Sequence, residues 1–353
     1  MEAEFRAELE KPKVCGTCGA LDAPPKCPCK AVFYCNAKCE GVSWREHQQV
    51  CTFDLERKLE RARSRLGNED REIGEACADL GLLYQKQDRH AEAEEKYLEA
   101  LGIFVDLEGE WSDNAAAMTT NLGSIYMKQG RVDDALRMHK RALRVSRRVY
   151  GDGHQHVADA LSNVGGCLKK KGQPERAMAK YEEAHEMFVG LHGEEHEDVA
   201  EVLGNMALVL GNQGRGAEGL AMQEKALDIK RRTFGSDDRD IAQPLLSLGK
   251  SYVNQGMLDE ALARYEEGLG IVRRVHPERN VMEGMFLQNI GEVFSDQGRH
   301  EDALAWLKKA HRIYRKTVGP ESAEVNHVTL SIAVALRRQG KVEEAMEKYE
   351  DGL

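Results

Sequence analysis

The 353-residue sequence is short of aromatics, which make up 6% of it, and of proline, with 8 residues. Both shortages count against a β-sandwich or barrel, whose strands and turns draw on those residue types. No apolar run approaches the roughly 18 residues a membrane-spanning helix needs. The opening MEAEFRAELEKPK lacks the apolar stretch of a secretory signal. The expectation is a chain that stays in the cytoplasm or nucleus and is not secreted. Nor is there an excess of positive charge. Lys and Arg number 50 against 60 Asp and Glu, a net −10, which is the wrong sign for a general nucleic-acid binder. Cysteine is nearly missing from the last three hundred residues, which hold only Cys77 and Cys167.

The other seven of the 9 cysteines lie between Cys15 and Cys51. In a reducing compartment such a cluster points to metal rather than to disulfides. Its spacing forms four pairs: Cys15-x2-Cys18, Cys27-x-Cys29, Cys35-x3-Cys39 and His47-x3-Cys51. Structural zinc takes four thiolate or imidazole ligands in a tetrahedron, so eight ligands imply two Zn²⁺ with no open position. The two pairs at i, i+4 spacing each share one face of a helical turn, and the tighter pairs suit knuckle-like turns. A segment of about 40 residues rarely buries enough apolar surface to fold alone. A structural zinc ion contributes on the order of 10–16 kcal/mol, enough to close that gap.

The string from Cys15 to Cys51, with AVFYC ending at Cys35 and Trp44 three residues before His47, resembles a MYND-type zinc finger. The resemblance implies an interleaved pairing, with Cys15, Cys18, Cys35 and Cys39 on one zinc and Cys27, Cys29, His47 and Cys51 on the other. Spacing by itself leaves sequential pairing open. The sequence departs from the family pattern in its Cys27-x-Cys29 pair and at Glu40, Ser43 and Gln48. The resemblance also implies a proline-rich peptide partner touching Trp44 and Gln48, although Trp44 could equally pack on the zinc core.

Past Cys51 a charged stretch with Leu55, Leu59, Ala62 and Leu66 in 4-3-4 spacing reads as one amphipathic linker helix over 52–75. From residue 76 to 353 the chain repeats every 42 residues. One column is Asp88, Gly130, Gly172, Gly214, Gly256, Gly298 and Gly340; another is Ala93, Ala135, Ala177, Gly219, Ala261, Ala303 and Ala345. A third small column runs Gly81, Gly123, Gly165, Ala207, Gly249, Gly291 and Ala333. A looser ring column runs Tyr97, His139, Tyr181, Gln223, Tyr265, Leu307 and Tyr349. Each unit reads as a helical hairpin: a helix, a glycine able to take positive φ, and a second helix whose small residue permits close approach. The pattern resembles a tetratricopeptide array of the kinesin light-chain type, six repeats and part of a seventh. The fold expected is therefore all-α, a right-handed superhelical helix-turn-helix solenoid behind a small two-zinc finger. The array breaks off inside its seventh unit, which predicts a fragment of a longer chain or an end that associates.

Other motifs have plainer readings. Gly214-x-Gly216-x-x-Gly219 follows no strand, so it is read as a turn and not a dinucleotide site. His154 and His156 lack a third ligand nearby in sequence. Cys77 and Cys167 are read as buried small residues. Paired bases such as Arg147/Arg148 and Arg231/Arg232 recur where second helices end, as the helix dipole favours. All residues after the finger belong to the linker or the repeats, which leaves no length for a catalytic domain. The function expected is a non-catalytic, zinc-binding adaptor. The alternatives are a zinc-dependent transcriptional or chromatin regulator and a kinesin-light-chain-like cargo adaptor. In the register of the array Asn121, Asn163, Asn205 and Asn289 form a column, with Lys128, Lys169, Lys170, Asn212, Lys250 and Asn254 a turn away. Family resemblance puts this column on the concave face. It predicts an extended, partly acidic peptide as ligand.

Elemental analysis of the purified chain should return two zinc ions, and Cys35→Ser should lose at least one. Chelation should unfold the finger while leaving the helical circular-dichroism signal of the repeats largely intact. One ion or none in the unaltered chain contradicts the eight-ligand reading.

Overall fold

The computed structural model describes residues 53–67, 69–235, 239–275 and 280–351. The finger ligands Cys15 through Cys51, with Trp44 and Gln48, lie outside the described residues. Among the described residues there are fifteen helices and no strand. The short helix α1 (Phe53–Leu66) comes first. First helices of the repeats are α2 (Arg71–Lys86), α4 (Asp113–Lys128), α6 (Gln155–Lys170), α8 (Glu197–Asn212), α10 (Arg239–Asn254), α12 (Val281–Asp296) and α14 (Ala323–Arg338). Second helices are α3 (His90–Glu108), α5 (Val132–Tyr150), α7 (Pro174–His192), α9 (Gly216–Phe234), α11 (Leu258–Val275), α13 (His300–Thr317) and α15 (Val342–Asp351). The chain forms two compact units, 1–167 and 168–353, which divide within α6.

The 42-residue period has a visible cause at the hairpin turn. Gly130, Gly172, Gly214, Gly256, Gly298 and Gly340 all have φ between +69° and +82°, a region that costs other L-residues roughly 1 kcal/mol or more. Asp88 holds the same position at +57°, and Asp tolerates it better than most side chains. Next comes an arginine in four of the turns. Arg89, Arg131, Arg215 and Arg299 each bond the acid three residues on, at Glu92, Asp134, Glu218 and Asp302. Three of these guanidinium groups also lie 4.1–4.3 Å over the rings of Tyr84, Tyr126 and Phe294. The sequence reading did not single out this staple.

Within a hairpin, the ring of the second helix sits on the glycine of the first. A Cβ at Gly81 would stand 2.7 Å from Tyr97, one at Gly123 2.5 Å from His139, and one at Gly249 2.3 Å from Tyr265. The alanines of the second helices complete the contact: Ala93, Ala135, Ala177, Ala261 and Ala303 are all fully buried. The fourth repeat exchanges the roles. Its first helix carries Ala207, and the space is made on the second helix, where a Cβ on Gly219 would meet the Ala207 carbonyl at 2.8 Å.

The linker departs from expectation. Residues 52–75 are not one helix: α1 ends at Leu66, Gly67 takes φ +86°, and α2 starts at Arg71 behind Asp70, whose carboxylate accepts from the Glu72 amide. A left-handed glycine followed by a good N-cap outweighs the continuing polar pattern. The first repeat therefore begins five residues earlier than 76, with Ile73 fully buried. The stripe on α1 does pack against the repeats: Leu59 and Ala62 are buried and Tyr84 donates to Glu56 at 2.7 Å, while Leu66 remains exposed.

His139 is the exception in the ring column. It is 2% exposed and its Nδ1 has no partner, so burial pushes its pKa down from 6.5 to about 4. The native state thus holds a neutral imidazole that the unfolded chain would protonate. Stability should be complete above pH 6.5 and fall as pH drops towards 4, by on the order of 3 kcal/mol over the window. His139→Phe keeps a ring against Gly123 without the titration. Tyrosine is a poorer choice because Gln85, which accepts from the Tyr97 hydroxyl, is replaced by Met127 one period on. Melting temperature measured from pH 7 to 4.5 should fall less steeply for the variant. Parallel curves would contradict the assignment.

Candidate functional site

In the second unit the first helices α8, α10, α12 and α14 supply one wall after another of two adjoining cavities. The larger, 740 Å³, is lined by Glu197, Glu201, Asn205 and Leu208 of α8, Gln223 and Lys230 of α9, Gln243, Pro244 and Ser247 of α10, and Val275 and Met282 beyond. The second, 660 Å³, is lined by Lys250 and Asn254 of α10, Met285, Asn289 and Glu292 of α12, and Glu324 and His327 of α14. Both have the make-up of a peptide groove: apolar surface with a few amides and charges set into it. Leu208 is 45% exposed and Val275 37%, which leaves apolar surface open to a ligand. Pro244 lies inside α10 and lacks the N–H that would bond the Asp240 carbonyl.

The predicted amide column is only partly brought together. Asn205 and Ser247 share the first cavity, and Asn254, Asn289 and Lys250 share the second. Asn121 is half-buried on α4 and Asn163 half-buried on α6; Lys128 and Lys170 are exposed in the last turns of the same two helices. Asn212 is exposed where α8 ends. The column is not uniform in its bonding either. Asn289 donates to the Met285 carbonyl at 2.7 Å and accepts from the buried Tyr265 hydroxyl at 3.4 Å. Asn205 makes no side-chain hydrogen bond to another described residue.

The charges that line these cavities differ from those on which the acidic-ligand expectation was built. That expectation rested on Lys128, Lys169, Lys170 and Lys250. In the second unit's groove the described cations are Lys230 and Lys250, whereas Glu197, Asp198, Glu201, Asp240, Glu292, Asp296 and Glu324 all line it. The acids were legible: Glu201 stands four residues before Asn205 and so on the same helix face. Lys169 is itself partly buried, and desolvation with neighbouring Lys170 lowers its pKa.

The remaining candidates behave as packing. The Cys77 thiol is fully buried and pushed up to about 12 by desolvation and by Glu99; burial lifts Cys167 to about 11. Neither is a thiolate near neutral pH, so neither is an activated nucleophile. Gly214 forms the hairpin turn and Gly219 the helix contact described above, which accounts for that glycine motif without a nucleotide. The paired bases do more than face the dipole. Arg231 reaches Glu267 at 2.5 Å and Arg273 reaches Glu283 at 2.8 Å, each bridging to another helix. His154 and His156 gather around Tyr150, with His154 stacked on it at 4.4 Å.

Comparison with known proteins follows the same lines. The model for the tetratricopeptide repeat matches residues 114–188, 191–274 and 283–353, a second tetratricopeptide model matches 78–144, and the MYND finger model matches 15–51. No curated protein matches the chain. Among solved structures, BtubC (BKLC) from P. vanneervenii is 27% identical, covering 66% of this chain and 93% of its own, with a TM-score of 0.55. The apo quorum sensor NprR from B. thuringiensis is 14% identical over 89% of this chain and 84% of its own, TM-score 0.65, a likeness of fold. A putative kinesin light chain from Podosopora anserina with nearly identical repeats is 17% identical over 60% of this chain and 100% of its own, TM-score 0.49. No helix among the described residues is long and apolar enough to cross a membrane. The chain belongs to the tetratricopeptide repeat family and carries a MYND finger, a zinc-binding domain, ahead of its repeats.

Proposed function

We propose that the chain is a non-catalytic adaptor of the cytoplasm or nucleus that holds one protein partner on its finger and another in its repeat groove. The finger and repeats are both protein-interaction modules. The donor set of the finger, seven thiols and one imidazole in four pairs, suits two structural zinc ions. Cys15, Cys18, Cys35 and Cys39 would hold one, and Cys27, Cys29, His47 and Cys51 the other. Zinc there supplies folding energy, with no coordination position left for a substrate. Trp44 and Gln48 would then meet a proline-rich segment.

The observation that carries the groove reading is Asn205: a half-buried amide, inside the larger cavity, with its hydrogen-bonding capacity unused by the described chain. A primary amide can both donate to and accept from the backbone of an extended peptide. Around it the carboxylates of Glu197 and Glu201 favour lysine or arginine on that peptide, and exposed Leu208 offers an apolar seat. The groove of the second unit thus takes an extended peptide with basic residues, in place of the acidic one the lysines alone suggested.

Selection of random peptides on the zinc-loaded full chain should enrich ligands whose binding weakens about fivefold in Asn205→Ala, the equivalent of about 1 kcal/mol for one lost hydrogen-bonding group. Those ligands should carry more Lys and Arg than Asp and Glu, and Glu201→Gln should weaken them too. Enrichment of acidic peptides would restore the earlier expectation. Melting temperature separates binding from architecture. Asn205→Ala should leave it nearly unchanged, as for other substitutions that remove no buried partner. Asn289→Ala should lower it, since it strips the acceptor from the buried Tyr265 hydroxyl and costs about 1–3 kcal/mol.

A further inference from the structure

The connector between α7 and α8 gathers three metal-ligand side chains that the sequence reading passed over. His192 is the last residue of α7, His196 is the N-cap of α8, and Asp198 lies in its first turn. Asp198 Oδ2 is 3.7 Å from His192 Nε2 and 3.2 Å from His196 Nδ1, and the two imidazoles stack with centroids 4.2 Å apart. One ligand atom from each residue lies within 4.8 Å of the other two. Ligand atoms about 2.0 Å from a tetrahedral zinc ion stand roughly 3.3 Å from one another, so the two measured separations already bracket that value. The side chains are 26%, 37% and 20% exposed, open enough for an ion to enter and covered enough for the rings to be held. We propose that His192, His196 and Asp198 form a divalent-cation site fitted to Zn²⁺, made of residues apart from the finger ligands and sharing Asp198 with the lining of the larger cavity.

Two features of the connector favour a cation over a simple cap. His196 Nδ1 accepts from the Asp198 amide at 3.3 Å, so its lone pair lies close to a carboxylate oxygen of the same residue. An imidazole acceptor and a carboxylate repel each other unless a proton or a metal ion is shared between them. An ion shared by the imidazole and the carboxylate supplies the compensating charge, taking over the Nδ1 lone pair from the Asp198 amide. The second feature is the combination of side chains at this connector. At the same three positions the array has Glu108, Ser112 and Asn114 two periods earlier, Tyr150, His154 and His156 one period earlier, and Val318, Ser322 and Glu324 near the end. Ser112 and Ser322 cap their helices through hydroxyls, and His154 through Nδ1 as His196 does, but among the described residues these positions bring two imidazoles and a carboxylate together only at His192, His196 and Asp198. The helix dipoles roughly offset, because α7 presents its C-terminus to the site and α8 its N-terminus, and Glu197 and Asp198 add negative charge there.

Calorimetric titration of the zinc-replete full chain with Zn²⁺ should reveal one further ion per chain. His192→Ala and Asp198→Asn should each weaken that event at least about tenfold, as losing one ligand does at such sites, with the helical circular-dichroism signal unchanged. The doubly substituted His154→Ala, His156→Ala chain should bind the ion as the unaltered chain does. Absence of any further ion would leave the cluster as a helix cap beside a stacked pair of rings. Equal binding by the His192 and Asp198 variants, or loss of binding in the His154 and His156 variant, would place the ion elsewhere. Each of those results overturns the proposal.

Discussion

In four of the hairpins a side chain of the second helix rests where the first helix has almost none. A glycine in a helix interior costs about 1 kcal/mol relative to alanine, while burying a large apolar ring contributes about 2–3 kcal/mol, so the exchange favours the glycine. Tyr97 on Gly81 and Tyr265 on Gly249 show the arrangement, and the rings are no more than 1% exposed. Leu307 against Gly291 shows that the contact needs bulk and not aromaticity. Where the small residue moves to the other helix, at Gly219, the ring position becomes Gln223, buried with its Oε1 unsatisfied. The constraint is the distance between paired helices. Residue types adjust to it.

That spacing fixes what the rest of a repeat has to do. Helices held so close need a short turn, which explains a left-handed residue at every hairpin and, at three of them, an arginine stapled across it onto the preceding ring. Next-neighbour repeats are then tied by charges at the helix ends, such as Arg231 to Glu267. Partly exposed pairs of this kind are worth about 0–1 kcal/mol each, less than a single ring on its glycine. Their contribution is to favour one register of stacking, while the apolar contacts supply the stability.

Much of this was legible in the sequence because the repeat multiplies weak signals. Single glycines and alanines say little, but the same residue at the same phase through Gly130, Gly172 and Gly214 fixes a turn, and Ala93, Ala135 and Ala177 fix a helix contact. Where no repetition helped, the reading failed. The break at Gly67 and Asp70 occurs once, inside a pattern whose polarity continues, and only backbone geometry reveals it. The groove was half legible. Register placed Asn205 and Asn289 in one column, but whether an amide is free or committed depends on what the facing helix presents, here the Tyr265 hydroxyl. The lysine-based expectation of ligand charge counted cations along one face without the carboxylates that neighbouring helices bring to the same cavity.

Chemistry in such an array is found where a column is broken, and burial decides what the break means. His139 and His196 are the same residue type in two different columns of the repeat. At His139 the ring is sealed between helices with no charged neighbour to stabilise a proton, so it stays neutral and acts as a small aromatic. At His196 the ring is a third exposed, caps its helix through Nδ1, and faces a carboxylate and a second imidazole. Asn205 and Asn289 divide in the same way, one amide without a side-chain partner among the described residues, the other spent on the core. A regular scaffold fixes the positions so firmly that a single polar substitution changes local chemistry without changing the fold. This is how one repeated hairpin can carry several unlike binding surfaces along its length.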